Sequence, residues 1–175
     1  MLIVIMVIVG SVTLMFLLTA LTGAPYVPTH RRELRRAFDS MRPLGKKDTV
    51  LDIGSGDGIV LDEVARRGAH AVGYEINVFL VLYARWRLRR YGNKVRTELK
   101  NLWTAPFPDD VTLVYTFGES RDIQKMYRKV QQEATRLDRE IELLSYGFEV
   151  TGKTASKKQR AHFLYKVAPL HPSEA

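Results

Sequence analysis

Two carboxylates stand where a chain can hold a charged small molecule. Asp52 lies at the end of the apolar run Thr49-Val50-Leu51-Asp52-Ile53, directly before Gly54-Ser55-Gly56-Asp57-Gly58, and Glu75 ends a second apolar run that starts at His70. Glycines at alternate positions let backbone approach a ligand closely, and a helix that follows such a loop offers free N–H groups. At the end of the second run, a carboxylate can accept hydrogen bonds from both hydroxyls of a ribose. Two ligand chemistries compete for this arrangement. A dinucleotide site asks for a third small residue at position 59, where this chain has Ile59. Asp52 would repel a pyrophosphate but suits a ligand bearing an ammonium and a sulfonium, which points to S-adenosylmethionine ahead of NAD. The chain has no cysteine, which excludes disulfide scaffolds, thiolate zinc sites and cysteine nucleophiles. Its four histidines, His30, His70, His162 and His171, are scattered without ligand spacing, so no metal is expected.

The elements that must position these groups follow from periodicity and punctuation. Thr29 can cap a helix from His30 to about Met41, ended by Arg42-Pro43. A strand over Thr49–Ile53 enters the glycine loop, and a helix from Ile59 to Arg67 closes at Gly68. A strand from His70 to Glu75, a helix from Asn77 to about Tyr91 and a strand over Val95–Leu99 come next. A proline-rich loop through Asp110 leads to a strand over Val111–Phe117, and Ile123, Met126, Tyr127, Val130, Ala134 and Leu137 form one helical stripe. Ile141 to Phe148 and Ala161 to Val167 read as closing strands, open to antiparallel pairing, around a polar loop from Thr151 to Arg160. This order predicts an α/β fold, a Rossmann-like and mostly parallel sheet with helices on both faces. Ligands of such sheets bind at the C-terminal ends of the strands, where the glycine loop lies.

The 175 residues suit one domain, but the charge is unevenly spread. The first charged side chain is Arg31, so all 46 charges lie in the remaining 145 residues. Leu2 to Leu21 carry none, and at about 1.5 Å per residue they span roughly 30 Å, the thickness of a bilayer core. A single membrane-spanning helix is therefore expected. A cleaved signal peptide is the competing reading, since Thr22-Gly23-Ala24 offers a weak small-residue site, although no basic segment precedes the apolar run. The expected organisation is an anchor over 1–22, a connector over 23–29 made rigid by Pro25 and Pro28, a body over 30–168 and a flexible tail over 169–175. Arg31, Arg32, Arg35, Arg36, Arg42, Lys46 and Lys47, opposed locally only by Glu33 and Asp39, place the body on the cytoplasmic side of the membrane.

At this point the residues resemble a known superfamily. Asp52-Ile53-Gly54-Ser55-Gly56-Asp57-Gly58 is similar to the first motif of class I, seven-strand methyltransferases, and Gly73-Tyr74-Glu75-Ile76-Asn77 to the next. Pro25-Tyr26-Val27-Pro28-Thr29 and Leu102-Trp103, behind an apolar N-terminal segment, narrow the resemblance to membrane-associated protein-lysine methyltransferases of the ATP synthase c-subunit and adenine nucleotide translocase type. The resemblance covers residues 1 to about 120 and implies a reduced seven-strand fold. It implies that Gly54, Ser55, Gly56 and Gly58 line the methionine part of S-adenosylmethionine, with Asp52 near its amino group, and that Glu75 and Asn77 belong to the cofactor site. It further implies that Asn101 and Leu102 meet the adenine edge, where the family usually has an Asp before Leu-Trp. Tyr26 and Thr29 would close over the cofactor or a substrate lysine. Methyl transfer to a lysine also needs a neutral amine, which an apolar channel favours. Tyr115, Phe117 and Glu119 are candidates for that channel, Glu119 as a base.

Rival readings remain. Residues 85–100 carry a net +6, interleaved with Trp86 and Tyr91, which invites a nucleic-acid partner. Against this, Tyr115-Thr116-Phe117-Gly118 lacks the Asn/Asp-Pro-Pro-aromatic signature of enzymes that methylate nucleic-acid amines. Lipid or quinone methylation is a second rival, and a non-catalytic membrane adaptor a third. The expected partners are a membrane-associated protein substrate and the membrane itself, with nucleic acid disfavoured.

Overall fold

Side chains along the central strands alternate between two apolar layers, and that period of two organises the molecule. A computed structural model describes residues 1–7, 9–11, 13, 31–117 and 122–170. Seven strands, β1 (Thr49–Ile53), β2 (His70–Glu75), β3 (Val95–Leu99), β4 (Leu113–Phe117), β5 (Ile141–Tyr146), β6 (Lys157–Gln159) and β7 (His162–Val167), form one sheet. Their order is β3-β2-β1-β4-β5-β7-β6. The first five run parallel, while β7 is antiparallel to both β5 and β6.

Helices α1 (Arg31–Ser40), α2 (Ile59–Arg66) and α3 (Val78–Leu88) cover one face, burying Val50, Ala71, Leu113, Leu144 and Leu164. Helix α4 (Ile123–Arg136) covers the other with Phe107 and Val111 of the proline-rich loop, over Leu51, Val72, Tyr74, Val114 and Leu143. Leu34, Ala37, Phe38 and Met41, at helical spacing, are all at most 3% exposed and seat α1. Gly58 precedes α2 in the left-handed region (φ 79), and a Cβ there would lie 2.6 Å from Leu88 Cδ1. Only glycine meets both demands. Asn77 Oδ1 caps α3 by accepting from Phe79 N at 3.0 Å.

Several expectations need correction. The helix expected to run to Tyr91 stops at Leu88 and tightens into a 3-10 turn over Arg89–Lys94, where Gly92 (φ 54, ψ −133) leaves helical geometry. The strand expected from Val111 starts at Leu113, because Val111 is used as a fully buried core residue of the loop. The polar loop over 151–160 contains β6, whose Lys-Lys-Gln sequence is too short and too charged to show a strand period. The sheet is therefore a full seven strands. What is reduced is the helical layer, since loops without α-helix join β3 to β4 and β5 to β6.

Residues 2–7, 9–11 and 13 are helical, and among the described residues no helix is long and apolar enough to cross a membrane. The expected anchor runs on to Leu21, beyond the described residues; the connector, the Thr29 cap and positions 171–175 of the tail also lie outside them. The basic cluster after the connector has partners that local sequence does not reveal. Arg31 pairs with Asp62 at 2.9 Å, Arg35 with Glu63 at 3.1 Å, and Arg42 with Asp48 at 2.7 Å and with Glu142.

Candidate functional site

The sheet order turns at β1, with β2 on one side and β4 on the other, so the strand ends there form a switch point. β1 brings Asp52 to this place and β2 brings Glu75. Asp52 is 3% exposed, and no Lys, Arg or His pairs with it among the described residues. Burial, then the neighbouring carboxylates of Glu75 and Asp57, push its carboxyl well above the usual range. Asp57 is compensated, because the Arg87 guanidinium donates to it at 2.6 Å. The cluster thus holds three carboxylates against one guanidinium.

Glu75 is held by backbone. Its Oε2 accepts from Gly56 N at 2.9 Å, and its Oε1 from Ile76 N at 2.8 Å and Asn77 N at 2.9 Å. Of the roughly four acceptor sites of a carboxylate, three are filled, and one is left for a ligand hydroxyl. The same bonds fix the glycine loop to the end of β2, reinforced by Gly54 N and Ser55 N donating to Tyr74 O at 2.9 and 3.1 Å. Gly54 (φ 71) is left-handed, and a Cβ there would meet nothing within 4 Å, so the loop borders open space. Ser55 Oγ is buried without a hydrogen-bond partner.

After β3, Lys100 N donates to Glu75 O at 3.0 Å, which ties the next turn to the site. Asn101 Oδ1 caps that turn by accepting from Trp103 N at 2.9 Å, and Leu102 packs against the core behind it. The structure therefore gathers Asp52, Gly54, Ser55, Gly56, Glu75, Asn77, Asn101 and Leu102 around the ends of three neighbouring strands. Two of the expected site residues have structural duties: Gly58, turned from the site, faces Leu88 of α3, and Asn77 spends its side-chain oxygen on the α3 cap. Tyr115 corrects an expectation. It is 1% exposed and packs 6.2 Å from Phe38 and 6.3 Å from His162, so it belongs to the core under α1 and not to a channel. Phe117, 37% exposed at the end of β4, stacks on Tyr146 at 5.3 Å and stays available. Tyr26, Thr29 and Glu119 lie outside the described residues.

Sequence reasoning quotes Gly73 in the second motif but gives it no role. A Cβ there would fall 2.5 Å from Ser55 Oγ and 2.7 Å from Leu61 Cδ1, so this glycine is what allows the loop to press on β2. A glycine inside an otherwise buried strand is the signal that could have found it. Arg87 is missed as well, as a guanidinium in a basic run gives no hint of its partner 30 residues away.

The donor set fits S-adenosylmethionine. A buried carboxylate lacking a cation suits an ammonium or sulfonium, an open glycine loop suits an amino-acid moiety, and the remaining Glu75 acceptor suits a ribose hydroxyl. The same cluster would oppose a pyrophosphate.

Known proteins share parts of this sequence and this fold. A family model described as the ANTKMT methyltransferase domain matches residues 52–157. A lysine N-methyltransferase of the ATP synthase c-subunit from Xenopus laevis is 34% identical over 111 residues, covering 62% of this chain and 48% of its own length. Its Rattus norvegicus counterpart is 31% identical over 129 residues, covering 71% and 58%. In fold, an RNA methyltransferase from Salinibacter ruber, solved with S-adenosyl-L-homocysteine, superposes with a TM-score of 0.72 over 83% of this chain and 97% of that one, at 22% identity. The chain spans about half the length of the curated relatives it matches.

Proposed function

The chain belongs to the ANTKMT methyltransferase domain family, and from that premise we propose that it transfers a methyl group from S-adenosylmethionine to lysine side chains of a membrane-associated protein. The observation that carries the reading is Asp52, buried beside two carboxylates at the switch point of a seven-strand sheet. The methyl donor supplies an electrophilic methyl group on a sulfonium. Asp52 attracts the positive end of that donor, the 54–58 loop admits its amino-acid part, and Glu75, pinned by three N–H groups, takes a ribose hydroxyl without having to reorganise. Asn101 and Leu102 form the adenine edge. In-line displacement then needs a neutral amine held about 3–3.5 Å from the methyl carbon and water kept away. Phe117 and Tyr146, at the ends of β4 and β5, supply apolar surface that favours the neutral amine. Tyr26 and Thr29 close over the bound donor and lysine, and Glu119 takes the proton.

The substrate class rests on the relatives, which are named as lysine methyltransferases of the ATP synthase c-subunit. The membrane setting rests on the uncharged head. Leu2, Ile3, Val4, Met6, Val7 and Val9 are all more than half exposed, so these residues are left for a lipid phase. We place residues 1–22 in the bilayer as a single-pass anchor with the body on the cytoplasmic side. Calorimetry on the detergent-solubilised full chain tests the donor: S-adenosylmethionine should bind, and Glu75→Ala should weaken it at least about tenfold, the worth of a hydrogen bond to a charged group. Absence of heat at millimolar donor would remove the reading.

A further inference from the structure

Helix α3 presents an apolar pole to solvent. Val81, Ala84 and Leu88 are buried against the sheet, yet on the opposite side Phe79 is 63% exposed, Trp86 62%, Leu82 55% and Tyr83 48%. These four fall at i, i+3, i+4 and i+7, one continuous stripe about two turns long. A helix that is apolar on two opposite sides normally has a partner on each, so this outer side is built to be covered.

We propose that the outer face of α3 docks into the surface of an anionic lipid bilayer. Three observations select lipid as the occupant. Trp and Tyr, which carry a polar tip on an apolar ring, are the side chains that settle at a membrane interface, and they share the stripe with Phe and Leu. The rim is cationic: Arg89 lies 5.5 Å over the Trp86 ring and Lys94 is exposed at the end of the 3-10 turn that follows α3, while Glu98, the acidic residue of this stretch, shares a strand face with Arg96 on the other side of the sheet and pairs with Lys100 at 2.6 Å. Cations near an anionic surface are attracted to it. Finally, Arg31 and Arg90 share the Asp62 carboxylate at 2.9 and 2.7 Å, so the point where the chain enters α1 from the apolar head is held beside the C-terminal end of α3. An anchor over 1–22, as proposed above, would bring the stripe to the same boundary. Ile76, 50% exposed and next to Glu75, continues the stripe to the rim of the cofactor site, so docking turns that rim towards the membrane. The inference stands on the chemistry of α3 and does not depend on which group is methylated.

Because the chain has no cysteine, a nitroxide can be placed at one position of the full-length protein. Leu82→Cys puts it on the stripe, and Gln132→Cys puts a control on α4, across the sheet. With vesicles of mixed phosphatidylcholine and phosphatidylglycerol, the label at 82 should gain collisions with oxygen and lose collisions with a water-soluble nickel chelate severalfold, while the label at 132 keeps its solution values. Arg89→Gln with Lys94→Gln should reduce the change at 82. The proposal is overturned if position 82 stays open to the nickel chelate. It is equally overturned if 82 is shielded from both reagents, as contact with a second copy would produce, or if a structured RNA protects it and vesicles do not.

Discussion

At Asp52, folding and binding pull in opposite directions. Its carboxyl is held above the usual range, so the folded chain keeps a proton that the unfolded chain releases, and stability present at low pH is lost as pH rises through the folded value. Asp52→Asn should therefore raise the unfolding free energy of the free protein at pH 7.5 by about 0.5–2 kcal/mol, read from urea midpoints. The same substitution should weaken S-adenosylmethionine at least about tenfold in calorimetry, since the anionic partner of its positive end is gone. Donor binding to the native protein should also release a proton, seen as a dependence of the binding heat on buffer ionisation enthalpy. Gly73→Ala tests the close approach of loop and strand. Its Cβ would overlap Ser55 and Leu61, and the expected cost is about 1–3 kcal/mol of stability, measured by chemical unfolding, together with weaker donor binding. The two carboxylates are legible in the sequence because each follows an apolar run and one precedes alternating glycines. The orphaned Ser55 hydroxyl and the Asp57–Arg87 pair are not, since both depend on how distant segments meet.

Among the elements, α2 shows how the basic excess is accommodated. Burial alone would raise the Asp62 carboxyl, but the Tyr91 hydroxyl and the guanidinium groups of Arg31, Arg90 and Arg66 outweigh it and hold it well below the usual range. A depressed value contributes stability that is present above the ordinary carboxylate range near 4 and is lost as pH falls through the folded value. Asp62→Asn should then cost on the order of 3 kcal/mol at neutral pH, with the difference from the native chain shrinking below about pH 4 in urea titrations. A count of charges over residues 31–47 makes this segment look like a bare cationic flank, because the balancing acids come from α2 and β5. Strands β1, β2 and β3 are legible to the residue, since flanking turns bound all three and β1 and β2 are buried on both faces. β6 is not, since three polar residues pair only because β7 offers an edge. The C-terminal limit of α3 is overrun for a related reason: the apolar and basic pattern continues past Leu88, and only Gly92 interrupts it.

On the scale of the whole molecule, the alternation of strand and helix is enough to fix the class of fold, and the glycine loop is enough to place the site at the strand ends. The order β3-β2-β1-β4-β5-β7-β6 is less accessible, because its last position is taken by a short strand that pairs with β7 alone. Two unlike surfaces complete the picture: a basic, ion-paired body and the apolar stripe of α3. That pairing of surfaces suits the proposed substrate, a protein that lies at a membrane. The most direct measurement of that account is transfer of labelled methyl from S-adenosylmethionine by the full-length protein into a membrane extract, resolved into protein, lipid and RNA fractions. The expected result is label in the protein fraction, recovered as methyl-lysine after hydrolysis and abolished by Glu75→Ala. Label confined to the lipid or RNA fraction, or label that survives Glu75→Ala, would contradict it.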